Sequence, residues 1–441
     1  MSQLEQQVAR MSVAERACGL YLAHVIAMGL AEAYRASASS AKERAELEAL
    51  HIDPLPEGVT WEALYRLARS NSVEALAWRG AKVRAAEMPE TLRARWVADA
   101  DATLWRRLQF DVERERVVAA AERAGLSLLP LKGVLMADYY PEPGLRSMAD
   151  IDILYGWVET IPQGEVGYPG FRLQGRDEQA REEAAYEGTR EMTRIMEGLG
   201  YKAAHVGTAN HDSYEKAPCF NFEMHRKLMG PSNVGDATAN WLTYYENPWQ
   251  RAHQDTDDPQ LFHFSNEDEY LFHIAHAFKH FDASGCGIRC AVDEAVFLRA
   301  KGAGMDWDYV AGELETLGMT EFEGSLRRAA CAAFPAGEGE VPDAALMGVA
   351  ENDRTLLLYL LGCGVYGNMQ TRVERQVEKS SGKRAYILER LCPDEATLAD
   401  YHPFFYRHRA LLPVLVVVRL VKAATIKLPR TLRELKVLAR R

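Results

Sequence analysis

The sequence predicts an α+β protein, a small mixed β-sheet with its helices set between two helical regions. Three observations carry this. Residues up to about Arg123 are rich in Ala, Leu, Glu and Arg, with apolar side chains recurring at helical spacing. Short apolar or alternating stretches, the mark of strands, then gather between Gly125 and Gly230. From Asn266 onward helical periodicity returns. The expected divisions are 1–124, helical; 125–230, the sheet-bearing core; and 231–441, helical with a basic tail.

Composition sets outer bounds. With 441 residues, 48% hydrophobic and 26% charged, the chain has the make-up of an ordinary globular protein of two or three domains. A net charge of −11 argues against a wide nucleic-acid footprint, which needs a basic face. The seven cysteines are scattered and odd in number, and Met1–Gln7 lacks the basic-then-apolar order of an export signal. A cytoplasmic, reducing location without disulfides is expected.

In the leading region, helices are expected over Ala14–Ala36, Trp61–Trp78 and Thr91–Ala124, with a turn at Pro54, Pro56 and Gly58. The last helix leads through Gly125 into LSLLPLKGVLMADYYPEPGLRSMADIDILY, residues 126–155. Leu126–Pro130 reads as a buried strand, Lys132-Gly133 as the entry to a helix ending near Tyr140, and Pro141, Pro143 and Gly144 as a turn. In Asp150-Ile-Asp-Ile-Leu154, acid and aliphatic alternate. Strand geometry puts Asp150 and Asp152 on one face and Ile151 and Ile153 on the other. Two neighbouring carboxylates repel unless a cation lies between them, and an oxygen-only ligand set suits Mg²⁺ or Mn²⁺. That repulsion also predicts that neutralising either acid leaves the metal-free fold as stable, or slightly more so.

A loop is expected at Pro162–Gly170, an amphipathic helix at Asp177–Gly198, and strands at Tyr201–Val206, Asp212–Lys216 and Cys219–His225. In the last strand Phe220, Phe222 and Met224 share one face, while Asn221, Glu223 and His225 share the other. Should this strand lie beside the Asp150 strand, Glu223 becomes a third carboxylate at the site. Arg226 and Lys227 follow, either as phosphate partners or as plain surface cations.

Downstream, Ser265 begins a capping sequence for a helix over Glu269–Phe281, on which His273, His276 and His280 form one stripe. A glycine-bearing turn, Gly285–Cys290, precedes a helix at Val292–Lys301. His276, His280, Cys286 and Cys290 could be set out as four zinc ligands, but their spacing fits no familiar zinc module. Gly362-Cys-Gly-Val-Tyr-Gly367 matches GxGxxG, yet it follows a helical run and reads as a tight helix-end loop. In the tail, the apolar run Leu411–Val418 is too short to span a bilayer and is flanked by cations. Its unbroken apolar character predicts packing against the body in preference to membrane-surface contact.

These residues carry a resemblance. A strand, a Gly-containing turn, a helix and then Asp-x-Asp on the next strand resemble the core of polymerase-β-type nucleotidyltransferases. LKG followed by YPxPxLRxMxDIDIL, with HAFKHF and GCGIRCAVD downstream, is similar to a bacterial family of uncharacterised nucleotidyltransferases. The chain has Lys132-Gly133 where better-studied relatives have Gly-Ser. The resemblance implies a nucleotidyltransferase palm and transfer of NMP from an NTP to an unidentified acceptor (a small molecule, peptide or protein), with release of pyrophosphate. It implies Asp150, Asp152 and Glu223 as catalytic metal ligands, Glu223 serving as ligand or base. Lys132 and the Gly133 amides would face triphosphate oxygens, with Lys279 or Arg289 on the phosphates. Arg146 would touch phosphate or pin its loop by pairing with Asp150. The competing reading is a catalytically inactive nucleotide-binding or interaction module on the same fold.

Overall fold

The computed structural model describes residues 3–37, 52–161, 170–233, 238–334, 342–365 and 367–440. The expected loop therefore lies outside the described residues up to position 169, as does Tyr366 of the Gly362–Gly367 motif. The mixed α+β class is observed.

The strands are β1 (Ser127–Pro130), β2 (Ile151–Gly156), β3 (Val158–Ile161), β4 (Gly170–Leu173), β5 (Lys202–His205), β6 (His211–Lys216), β7 (Phe220–His225), β8 (Ala252–Gln254) and β9 (Phe262–Phe264). Five of them form one sheet in the order β1-β2-β7-β6-β5. The β2–β7 pair is parallel and the other neighbours are antiparallel. The remaining two pairs, β3–β4 and β8–β9, are small ribbons.

Alternation along the strands decides which face meets which core. Ile151, Ile153, Phe222 and Met224 point to one side, where they pack with Phe110 and Val117 of the Glu90–Arg123 helix and Met192 and Met196 of the Glu178–Gly198 helix. Each fully buried side chain of this size contributes about 1.5–3 kcal/mol. The other face carries Asp152, with Leu129, Leu131 and Leu154 reaching a second core built from the leading helices and the helices after residue 265. The leading helices and the helices up to Cys363 thus share one apolar interior on the acid-bearing side of the sheet, while Val373, Val377, Tyr386 and Leu438 form a separate small cluster.

In the leading region, Val13–Ser37 is long and apolar enough to cross a membrane by length and composition. Its most apolar window is 78% buried within the protein, so it is a core helix here. The expected Trp61–Trp78 helix is broken into Trp61–Ser70 and Glu74–Ala81. Ser72 takes a left-handed backbone (φ 53°), and the Asn71 side chain turns away to bond Leu361 O and the Ile288 amide, both at 3.1 Å.

The tail corrects another expectation. Leu412–Ala424 and Leu428–Arg440 form helices, but of the first helix only Leu415 is buried. Leu411, Val414, Val417 and Val418 are exposed. An unbroken apolar run cannot tell a helix covered by its own body from one covered by something else.

Candidate active site

The loop between β1 and β2 begins with Lys132, whose backbone (φ 36°, ψ −106°) is one that side chains other than Gly rarely adopt. Holding it there costs about 1–3 kcal/mol. In return its Nζ lies 2.7 Å from Asp152 Oδ1. Gly133 follows at the start of a short helix, Gly133–Tyr139, with Arg146 Nη1 in ordinary contact distance, 3.4 Å, of where a Cβ would sit.

Asp152 stands opposite Glu223 in the parallel β2–β7 register, and Asp150 lies one residue before β2. Strand pairing thus brings Asp152 and Glu223 together, and Asp150 lines one cavity with them. The same Oδ1 of Asp152 is met at 2.8 Å by His225 Nε2. Asn210 Nδ2 lies 3.3 Å from His225 Nδ1 and 3.2 Å from Leu228 O. An amide nitrogen only donates, so His225 Nδ1 is the acceptor and Nε2 carries the proton given to Asp152.

These contacts separate the three acids. Burial opposes ionisation of Asp152, but Lys132 and His225 outweigh it and hold that carboxyl well below the usual range. Asp150 is raised by burial and by the charge of Asp152. Glu223 is pushed up to about 7, chiefly by burial and then by Asp152. His225 is lowered, mainly by burial, and stays neutral.

The opposite wall is cationic. It comes from the helices Asn266–Ser284 and Arg289–Lys301 and the turn between them. Lys279 is pulled down to about 8 by burial and by Lys132. Arg289 donates to Ser147 O at 3.1 Å. Arg146 forms a two-pronged pair with Asp293 at 2.8 and 2.9 Å and donates to Gly133 O at 3.2 Å. Tyr140 OH adds 2.7 Å to the same Asp293 carboxylate. The partner of Arg146 is therefore Asp293, not Asp150, and the contact ties the Lys132 loop to the Arg289 helix.

Gly287 sets this wall in place. A Cβ there would meet Val365 N at 2.8 Å and Asn71 Oδ1 at 2.9 Å. Of the GxGxxG segment, Gly362 and Cys363 close the helix Glu351–Cys363, and Val365 N donates to Ser70 O at 3.0 Å while its backbone abuts Gly287.

All eight sequence-predicted residues, Lys132, Gly133, Arg146, Asp150, Asp152, Glu223, Lys279 and Arg289, line one cavity of about 380 Å³. His211, His225, His273, His276 and His280 line it too. A larger cavity, about 920 Å³, lies between the leading helices and the tail, and none of those eight residues lines it. Arg226 and Lys227 lie outside the acid-lined cavity, paired with Asp212 at 3.3 Å and Asp400 at 3.7 Å.

Among the described residues, the metal-capable group whose atoms lie within 4.8 Å of one another is His211, Glu223 and His225. Both ring nitrogens of His225 are already committed, so that trio lacks a free lone pair on one member; of the three acids, Glu223 belongs to the group and Asp150 and Asp152 do not. The proposed zinc quartet does not assemble as one cluster. It forms two pairs, His276–His280 at 3.0 Å and Cys286–Cys290 at 3.1 Å.

The fold and site define an α+β protein with an acid-bearing mixed sheet facing a wall of cations. The chain belongs to the family described as uncharacterised nucleotidyltransferase, whose family model matches residues 57–158 and 185–335. No curated protein and no solved structure matches it.

Proposed function

We propose that this site transfers NMP from an NTP to an acceptor and releases pyrophosphate, using a divalent cation and a palm of the polymerase-β type. The observation that carries the reading is the three-carboxylate wall, on which Asp150 and Glu223 resist ionisation beside Asp152. Like-charged oxygen donors of this kind fit Mg²⁺ or Mn²⁺. Asp150, Asp152 and Glu223 would hold the ion, which when bound would neutralise triphosphate charge and acidify the attacking hydroxyl.

The chain's own groups divide the remaining work. Lys132 and His225 fix the Asp152 carboxylate in one orientation. Glu223, raised toward neutrality by burial and by Asp152 in the metal-free chain, serves either as a ligand to the ion or, if it stays off the ion, as the base that takes the acceptor's proton. Lys279 and Arg289 present positive charge to phosphate oxygens from across the cavity. Arg146 acts through Asp293 as a positioning residue, keeping the two walls in register.

One observation favours the inactive-module reading. Lys132 already supplies Asp152 with a counter-charge at 2.7 Å, so a nucleotide could be held without turnover. The two readings part when the protein is incubated with each α-labelled NTP, Mg²⁺ or Mn²⁺ and a cytoplasmic extract. Label on a product with pyrophosphate release supports transfer; metal-dependent NTP binding without release supports the module. Failure to bind any NTP overturns transfer and nucleotide holding alike and leaves the interaction module.

A further inference from the structure

The two C-terminal helices pack on one another and are held to the body from one side. Leu415 and Leu438 are buried, and Glu434 is buried against Arg390 at 3.1 Å and Arg430 at 3.3 Å. The other side is bare. Val414, Val417 and Val421 are 51%, 58% and 56% exposed, and Leu411 and Val418 join them at spacings that form one helical stripe. Leu428, Leu432 and Leu435 make a second stripe, with Ile426 between the two at 79% exposure. Lys422 and Lys427 are exposed at this end, and Arg433 and Lys436, also exposed, line the larger cavity beside the leading helices.

Charge identifies what covers this face. Residues 403–441 hold ten Lys or Arg against the single acid Glu434, a net of +9 in a chain of −11, which leaves −20 on residues 1–402. A second copy would set +9 against +9. An anionic leaflet attracts this end, repels the rest of the protein, and offers an apolar layer at the depth of the valine and leucine stripes. Thirteen residues of helix span about 20 Å, short of the ~30 Å hydrocarbon core, so the helices lie along the surface and do not cross it.

We propose that the C-terminal helical pair docks the protein on an anionic lipid surface. This inference does not depend on the chemistry of the acid-lined cavity. The test is sedimentation of the full chain with phosphatidylcholine vesicles and with vesicles containing phosphatidylserine, at low and high salt. The expected result is binding that requires phosphatidylserine and falls at high salt. Lys422→Gln and Lys427→Gln should each lower partitioning about fivefold. Val417→Asp with Val421→Asp should abolish it without changing the thermal unfolding curve, since both positions are in solvent. The proposal is overturned by binding indifferent to phosphatidylserine or to these substitutions. It is equally overturned by no vesicle binding, and a dimer, seen in analytical ultracentrifugation, that the valine substitutions dissolve would then make a second copy the occupant.

Discussion

His225 donates its Nε2 proton to Asp152 across 2.8 Å, and Asn210 behind it fixes which ring nitrogen carries that proton. One strand end therefore sets the orientation of the acid on the next. The three carboxylates are not equivalent: Asp152 is anchored by two partners, whereas Asp150 and Glu223 bear the cost of the crowding.

Neutralising the two aspartates should separate activity from stability. Asp150→Asn and Asp152→Asn should each abolish nucleotidyl transfer. Asp150→Asn should leave the metal-free protein as stable as wild type or more so. Asp152→Asn strips Lys132 of its buried counter-charge and should cost about 3–5 kcal/mol, contrary to the simple repulsion argument. Urea denaturation in chelator with parallel transfer assays checks both; equal stability of the two variants would count against the Lys132 pairing.

Glu223→Gln should lower kcat more than it raises KM for NTP, as expected for a group acting mainly in the transition state. Its stability effect depends on pH. A carboxyl raised to about 7 from its ordinary 4.5 favours the fold fully below 4.5, and that contribution is lost as pH rises toward 7. Relative to wild type, Glu223→Gln should gain on the order of 1–3 kcal/mol between pH 4.5 and pH 8. Denaturation curves at the two pH values measure this, and a pH-independent difference would remove the assignment.

Arg146 and Asp293 should behave as one unit. Either Arg146→Met or Asp293→Asn alone leaves a buried charge without its partner and should cost about 3–5 kcal/mol. The double substitution should cost clearly less than the sum of the singles, which thermal melts of the four proteins would report.

Gly287→Ala should destabilise by about 1–3 kcal/mol, because the added methyl presses on Val365 N and Asn71 Oδ1. It should also weaken NTP binding by shifting the Arg289 helix. Calorimetric titration with NTP measures that loss, and unchanged affinity would detach this turn from the site.

Much of the sheet could be read from the sequence because its signals are local. Alternation of acid and aliphatic at Asp150–Leu154, and of aromatic and polar at Phe220–His225, assigns each side chain to a face. The His225–Asp152 contact was not legible, since it depends on a parallel register that alternation leaves open. Asn71 gave no signal: a polar residue within a helical pattern reads as solvent-facing, and only the folded chain brings Leu361 and Ile288 to it. The three-residue strands β8 and β9 are too short to show a period. Gly285 and Gly287 read as a turn, but what the missing side chains make room for lies at Cys363 and Val365.

The split of the site into an acid wall and a cation wall has a consequence for biosynthesis. Every strand of the five-stranded sheet lies between residues 127 and 225, so a chain growing from its N-terminus completes the acids first. Lys279, Arg289 and Asp293 emerge later, and the Val365 clasp that seats their turn on Asn71 emerges later still. Until then Arg146 has no Asp293 to hold, and the Lys132 loop lacks its tether to the far wall. Translation order thus delivers the acids, with Lys132 and Arg146 beside them, before Lys279 and Arg289 of the opposite wall.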